Sequence, residues 1–186
     1  RQVFNGGWTY SKQGATPNGT NGYSDTKLNP SVSLSSNQSE SLSYYSRTIG
    51  GANETRMSMG GFDGSSDTSL IIKWSNGYAY FNINEITYNA LFVNADTHGF
   101  YLGNRNATNT EQGWKNGIKQ IQVSNTPTSL TNKLIYLGAL NNNGTANYLD
   151  NKQCAFASIG DGLSDTEASA MYTSVQNYQN SMSRAV

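Results

Sequence analysis

The segment that begins at Cys154 constrains the fold more than any other. It reads Cys-Ala-Phe-Ala-Ser-Ile, an apolar strand, then Gly160-Asp161-Gly162, a turn, and then a helix that runs toward Val186. Ser164 and Glu167 have the spacing of a capping box, in which the hydroxyl reaches the Glu167 amide and the carboxylate reaches back. Leu163 and Ala168 stand where a hydrophobic staple would, and Asp165 and Glu167 sit near the positive end of the helix dipole. Such a cap contributes ~1 kcal/mol. Met171, Tyr172, Val175, Tyr178 and Met182 recur at helical spacing and predict one apolar stripe, with Ser169, Thr173, Gln176, Asn177 and Asn180 facing away. No comparable helix signal stands upstream, so one terminal helix follows an otherwise all-β chain.

The upstream residues are short runs of strand formers between turn signals. Leu70–Ser75 leads into Asn76-Gly77 and returns as Tyr78–Ile83; Gly113–Lys115 leads into Asn116-Gly117 and returns as Ile118–Val123. Asn-Gly suits a type I′ turn, whose two central residues both need positive φ. Further strands are predicted at Val32–Leu34, Leu42–Arg47, Arg56–Met59, Gly99–Leu102, Leu134–Leu140 and Ala155–Ile159, with loops over 12–30, 104–110 and 141–147. Nothing reads as a βαβ unit. Short strands at this spacing predict a two-sheet sandwich or a barrel, and 186 residues predict a single domain, 1–186.

Trp114-Lys115-Asn116-Gly117-Ile118 resembles a hairpin of the laminin-G-like, concanavalin A-type jelly rolls. Leu134–Leu140 resembles the next strand of that fold, and Ala155–Tyr172 its closing strand and helix start; together the likeness covers roughly residues 110–175. The wording Phe156-Ala157-Ser158-Ile159-Gly160-Asp161-Gly162-Leu163-Ser164-Asp165-Thr166-Glu167 is similar to a C-terminal module of bacteriophage tail and fibre proteins. The Tyr44–Thr48 and Gly99–Leu102 runs fit earlier strands of that module. The resemblance implies an all-β, two-sheet antiparallel jelly-roll sandwich (concanavalin A-like) with one C-terminal α-helix, carried on the virion surface. Arg1 opens the chain without methionine or leader, which reads as the C-terminal module of a longer protein.

Charge excludes some partners. Twelve Lys and Arg balance twelve Asp and Glu, with no basic stripe, so nucleic acid is not expected. No apolar run approaches the ~20 residues of a membrane helix, so no membrane insertion is expected. Cys154 is the only cysteine and His98 the only histidine, too few for a zinc site; Cys154 reads as a small buried hydrophobe and His98 as a loop or strand-edge residue.

Jelly rolls of this kind include glucanases, which carry Glu-x-Asp-x-x-Glu on a strand, and that motif is absent. A retaining glycosidase needs two carboxylates ~5.5 Å apart. Asp63 and Asp67 are spaced i, i+4 in the sequence, as a pair on one strand face is, but Gly64-Ser65-Ser66 between them reads as a loop, and Asp165 and Glu167 belong to the helix cap. No acid/base pair can be named, and the expectation is a non-enzyme. Asp63, Ser65 and Asp67 alternate as a calcium loop does, so calcium is the one cofactor to consider. Sugars bind aromatic faces flanked by polar side chains. Among the loop-proximal aromatics Trp8, Tyr23, Tyr44, Trp74, Tyr88 and Tyr148, the polar surroundings of Tyr23 and Tyr148 make them the ligand-binding candidates; Trp74 and Trp114 are assigned to the core or to hairpin packing.

Two functions follow. One is a non-catalytic virion-surface module that recognises a host cell-surface glycan or receptor. The other is an assembly or decoration module whose partners are other virion subunits or further copies of itself, as in a homo-oligomeric trimer. Both place the chain outside the cell.

Overall fold

The computed structural model describes residues 1–186. The chain runs β1 (Val3–Asn5), β2 (Trp8–Ser11), β3 (Gly14–Pro17), β4 (Tyr23–Asp25), a single turn of helix α1 (Pro30–Ser33), and β5 (Glu40–Ser46). Then come β6 (Met59–Phe62), β7 (Asp67–Ile71), β8 (Tyr78–Glu85), β9 (Leu91–Val93), β10 (Gly99–Ala107), β11 (Thr110–Lys115) and β12 (Ile118–Val123). The last elements are β13 (Tyr136–Leu137), β14 (Leu140–Asn142), β15 (Thr145–Asn147), β16 (Cys154–Gly160) and α2 (Asp165–Ser181). No helix is long and apolar enough to cross a membrane.

Two sheets face each other. One has nine strands in the order β1-β4-β13-β6-β7-β8-β9, with the β14–β15 hairpin joined through β14 to β6; the other has seven, β12-β11-β10-β5-β16-β3-β2. Every pairing is antiparallel except β14 with β6. Leu42, Tyr44 and Tyr101 of the seven-stranded sheet meet Met59, Leu70, Phe81, Ile83 and Leu137 of the other in the central core. Gly113 makes room for this contact, since a Cβ there would lie 2.4 Å from Phe81 Cδ2.

Side chains alternate along a strand, so Tyr45, Phe100, Leu102 and Trp114 point out of the other face of the seven-stranded sheet. There they pack with Ala168 and Val175 of α2. With core on one side and helix on the other, β5 is buried at every residue. The capping box is in place: the Ser164 amide donates to Glu167 Oε2 at 2.8 Å and the Glu167 amide to Ser164 Oγ at 3.3 Å. The helix face differs from the sequence reading. Ala168, Val175 and Gln179 are its buried residues, whereas Tyr178 and Met182 are 49% and 48% exposed. The buried Tyr45 hydroxyl needs polar partners; it donates to Gln176 Oε1 at 2.9 Å and accepts from the Val186 amide at 2.9 Å, which turns a polar edge of α2 toward the sheet.

The two Asn-Gly hairpins form with different turns. Asn116 and Gly117 both have positive φ, 50° and 75°, as type I′ requires. At the first hairpin only Gly77 does, and its amide closes a turn onto the Trp74 carbonyl at 2.9 Å. Val32–Leu34 is not a strand: Asn29 Oδ1 caps the Ser31 amide and Pro30 starts α1. The run Leu134–Leu140 is broken at Gly138, φ 80°. Of Arg56–Met59, only Met59 enters a strand. The expected loop over 12–30 contains β3 and β4, and 141–147 is a hairpin turning at Asn143-Gly144.

Candidate functional site

Leu70 and Ile72 point into the core while Ile71 belongs to a separate apolar cluster with Met57 and Leu140. Tyr80, the cross-strand partner of Ile71, likewise turns away from the core. These residues floor a cleft of about 300 Å³ on the outer face of the nine-stranded sheet, walled by Trp74, Tyr80, Tyr88 and Tyr148. Trp74 and Tyr148 meet edge to face with ring centroids 5.4 Å apart. Asn76 Nδ2 donates to the Tyr80 hydroxyl at 2.7 Å, which leaves that hydroxyl's hydrogen free.

Two walls are held in an unusual backbone. Tyr88 and Tyr148 have φ 53° and 54°, a left-handed conformation that bulky L-residues avoid at a cost of about 1–2 kcal/mol. The surroundings fix both. The Tyr148 carbonyl accepts from the Met57 amide at 2.8 Å. The Tyr88 amide donates to Glu85 Oε1 at 2.8 Å, and the Tyr88 hydroxyl donates to Asp67 Oδ2. Burial of Asp67 pushes its carboxyl up to about 7 against the bond from Tyr88.

The sequence-based candidates separate. Tyr148 lies in the cleft, 42% exposed. Tyr23 does not: it begins β4 and is half-covered by Tyr136, with ring centroids 4.7 Å apart. Trp74, assigned by sequence to core or hairpin packing, is a cleft wall; Trp114 is buried beneath α2. Asp63 and Ser65 bond to each other, whereas Asp67 is turned to Tyr88. Asp63 is surrounded by donors, its oxygens accepting from the amides of Ser65, Ser66 and Asn132 and from the Ser65 hydroxyl at 2.8–2.9 Å. Partial burial pushes the Asp63 carboxyl up, but those hydrogen bonds together outweigh it and hold it at about 2. Asp67 is sealed beneath Tyr88. No group of three or more His, Cys, Asp or Glu is placed to hold a metal ion.

A second polar cluster lies inside the sandwich. Arg105 is fully buried between its cross-strand partners Glu40 and Glu111. Its Nε donates to the Ile83 carbonyl at 2.8 Å, its Nη2 to Asn125 Oδ1 at 2.6 Å, and Nη2 lies 3.7 Å from Glu111 Oε2. Burial pushes the carboxyls of Glu40 and Glu111 up to about 7 each. Both are closed to solvent. His98 lies just before β10 with Nδ1 against the Asp96 carboxylate, and Cys154 is buried with its thiol raised by burial to about 12.

No family model matches the chain, and no curated protein matches it. Solved structures do. Domain 4 of AbnA, a GH43 extracellular arabinanase from Geobacillus stearothermophilus solved with arabinotriose, superposes with TM-score 0.58 at 16% identity over 92% of this chain and 87% of that one. The receptor-binding domain of botulinum neurotoxin C/D mosaic serotype superposes with TM-score 0.63 at 13% identity, covering 94% of this chain and 46% of that one. A variant of the NanB sialidase from Streptococcus pneumoniae gives TM-score 0.59 at 17% identity over 89% of this chain and 27% of that one. At these identities the likeness is one of fold: this chain shares their β-sandwich and spans less than half the length of the neurotoxin and sialidase chains.

Proposed function

We propose that this chain is a non-catalytic recognition module that binds a glycan, free or on a receptor, in the aromatic cleft. The observation that carries the reading is the paired left-handed backbone of Tyr88 and Tyr148. Strain of this kind persists where the surroundings over-determine it, and it clusters at functional sites. Here it belongs to two aromatic walls of one cleft, and aromatic faces are what sugar rings stack upon. The sandwich folds that superpose on the chain include one solved with arabinotriose, which supports the same class of ligand. Absence of catalysis is part of the proposal: no carboxylate lines the cleft, and Glu40, Asp67 and Glu111 are sealed from solvent.

The virion-surface setting rests on the resemblance of residues 156–167 to phage tail and fibre modules, and it makes the ligand a bacterial surface glycan. Labelled protein is expected to bind a glycan array and intact bacterial cells saturably, with free sugar competing and Trp74→Ala abolishing both. Calcium is expected to be dispensable, so that chelator leaves binding unchanged. Binding that survives Trp74→Ala together with Tyr148→Ala would rule the cleft out as the site.

One observation favours an assembly role instead. Phe4, Trp8 and Tyr10 form an aromatic group with centroids 5.0 and 5.5 Å apart about Phe4, and Phe4 and Tyr10 are 44% and 60% exposed. The group spans β1 and β2, the end strands of the two sheets. A concentration-dependent oligomer by sedimentation, dispersed by Phe4→Ser with Tyr10→Ser, would support that reading.

A further inference from the structure

We infer that the aromatic cleft selects an uncharged saccharide and turns away acidic ones, with Asp67 behind Tyr88 as the excluding group; this rests on the reading of the cleft as a glycan site. A sugar acid needs a cation or several N–H donors to replace the water it loses, and the side chains lining the cleft include no cation and a single N–H, the Trp74 indole. Two cations adjoin its residues in sequence, and both are engaged elsewhere. Arg56, next to Met57, donates from Nε to Glu54 Oε2 at 2.8 Å and from Nη1 to the carbonyls of Gly19 at 3.0 Å and Leu149 at 2.5 Å. Lys73, next to Trp74, is buried, and its Nζ donates to the carbonyls of Gly51 at 3.0 Å and Ala95 at 3.1 Å.

The ionisable groups behind the cleft are acids. Asp67 and Glu85 are cross-strand partners, both buried, and both hold Tyr88, one by its hydroxyl and one by its amide. Asp63 is the third acid near Asp67. With Asp67 ionised, Tyr88 gives its only hydrogen to that carboxylate and its oxygen can only accept. The Tyr80 hydroxyl, accepting from Asn76, has a hydrogen left to give. A sugar hydroxyl, both donor and acceptor, suits such a pair; an ionised acid group has no hydrogen for Tyr88 and faces a like charge.

The test is an array of neutral glycans beside the same glycans capped with sialic or uronic acid, probed at pH 8, followed by titration calorimetry of matched pairs. Neutral members are expected to bind and their acid-capped counterparts to bind about tenfold more weakly, the scale of one partly screened like charge. Asp67→Asn keeps an acceptor for Tyr88, and is expected to shrink that ratio to about threefold or less. Equal or tighter binding of acid-capped glycans, still lost with Trp74→Ala, overturns the charge selection and leaves the glycan site standing. Silence toward every glycan overturns both. The wild-type ratio decides the matter even if Asp67→Asn does not fold.

Discussion

Replacing Glu40 with glutamine changes stability by an amount that depends on pH, and the dependence follows from the surroundings of the side chain. The Glu40 carboxyl is fully buried. The Thr68 hydroxyl lies 3.3 Å from Glu40 Oε2 and 3.0 Å from Asn84 Oδ1, one hydrogen between two acceptors. When Thr68 donates to Asn84, Glu40 meets the Thr68 oxygen well only as a neutral acid donating its own proton, and its Oε1 has no partner. Burial raises the carboxyl from 4.5 to about 7, against the pull of Asn84, Thr68 and the Arg105 charge. The folded protein therefore holds this proton more tightly than the unfolded chain. Its favourable effect is complete below about 4.5, is lost as pH rises to about 7, and is constant above that. The span corresponds to about 3 kcal/mol. Glu40→Gln is neutral throughout, so its stability relative to wild type is expected to rise by about 3 kcal/mol between pH 4 and pH 8. The unpartnered amide N–H adds a constant cost of about 1–3 kcal/mol that does not alter this slope. Urea unfolding of both proteins across that range measures it. A difference that stays flat with pH would refute the argument that Glu40 is held neutral by burial.

Three further outcomes are expected. Gly113→Val drives a side chain into Phe81, whose Cδ2 would lie 2.4 Å from the new Cβ; a loss of about 3 kcal/mol or more is expected in urea melts. Gly117→Ala combines φ 75° with a Cβ 2.5 Å from Tyr172 Cδ1, so it should cost about 1–3 kcal/mol, read as a fall in Tm of several degrees. Tyr148→Gly removes the left-handed strain, about 1 kcal/mol, along with the contact to Trp74; stability should stay within about 1 kcal/mol of wild type while glycan binding is lost, by thermal melt and calorimetry on the same sample.

Legibility in the sequence followed the reach of each interaction. The start of α2 is settled within four residues by Ser164 and Glu167, and it stands as read. The Asn116-Gly117 hairpin is equally local, and the structure explains why it accompanies the helix: Gly117 lies under Tyr172, its carbonyl accepts from Ser169 Oγ at 3.4 Å, and Asn116 Oδ1 accepts from the Phe100 amide at 2.8 Å. The helix face was misread because polarity alone cannot reveal that Tyr45 draws Gln176 inward. The cleft was half legible. Tyr148 stood out by its polar neighbours, but Tyr23 had the same appearance and pairs with Tyr136 instead. Trp74 reads as core or hairpin packing; beyond the end of β7 it stands in the turn closed by Gly77, where it walls the cleft. No glycine or asparagine at position 88 or 148 marks the left-handed backbone there. The buried acids are invisible as such in the sequence: Glu40 and Glu111 meet only where their strands flank Arg105, and Asp67 is covered only by Tyr88.

The position of the cleft follows from how the two sheets are covered. A sandwich offers two outer faces, and α2 occupies one, burying Tyr45, Phe100, Leu102 and Trp114 against Ala168 and Val175. The outer face of the nine-stranded sheet has no such cover; there the apolar set of Met57, Ile71 and Leu140 lies beneath Trp74 and Tyr80. Met57, Ile71 and Leu140 are nonetheless buried, so aromatic side chains supply the cover that keeps this apolar surface from water, an exposure that would cost about 25 cal/mol per Å². The chain walls the surface with tyrosines held in an unfavourable backbone, and ties one of them to a buried carboxyl beneath it. The backbone conformation alone would favour glycine or asparagine at positions 88 and 148. On the proposed reading, the two aromatic rings kept there against the backbone's preference are the faces on which a sugar ring stacks.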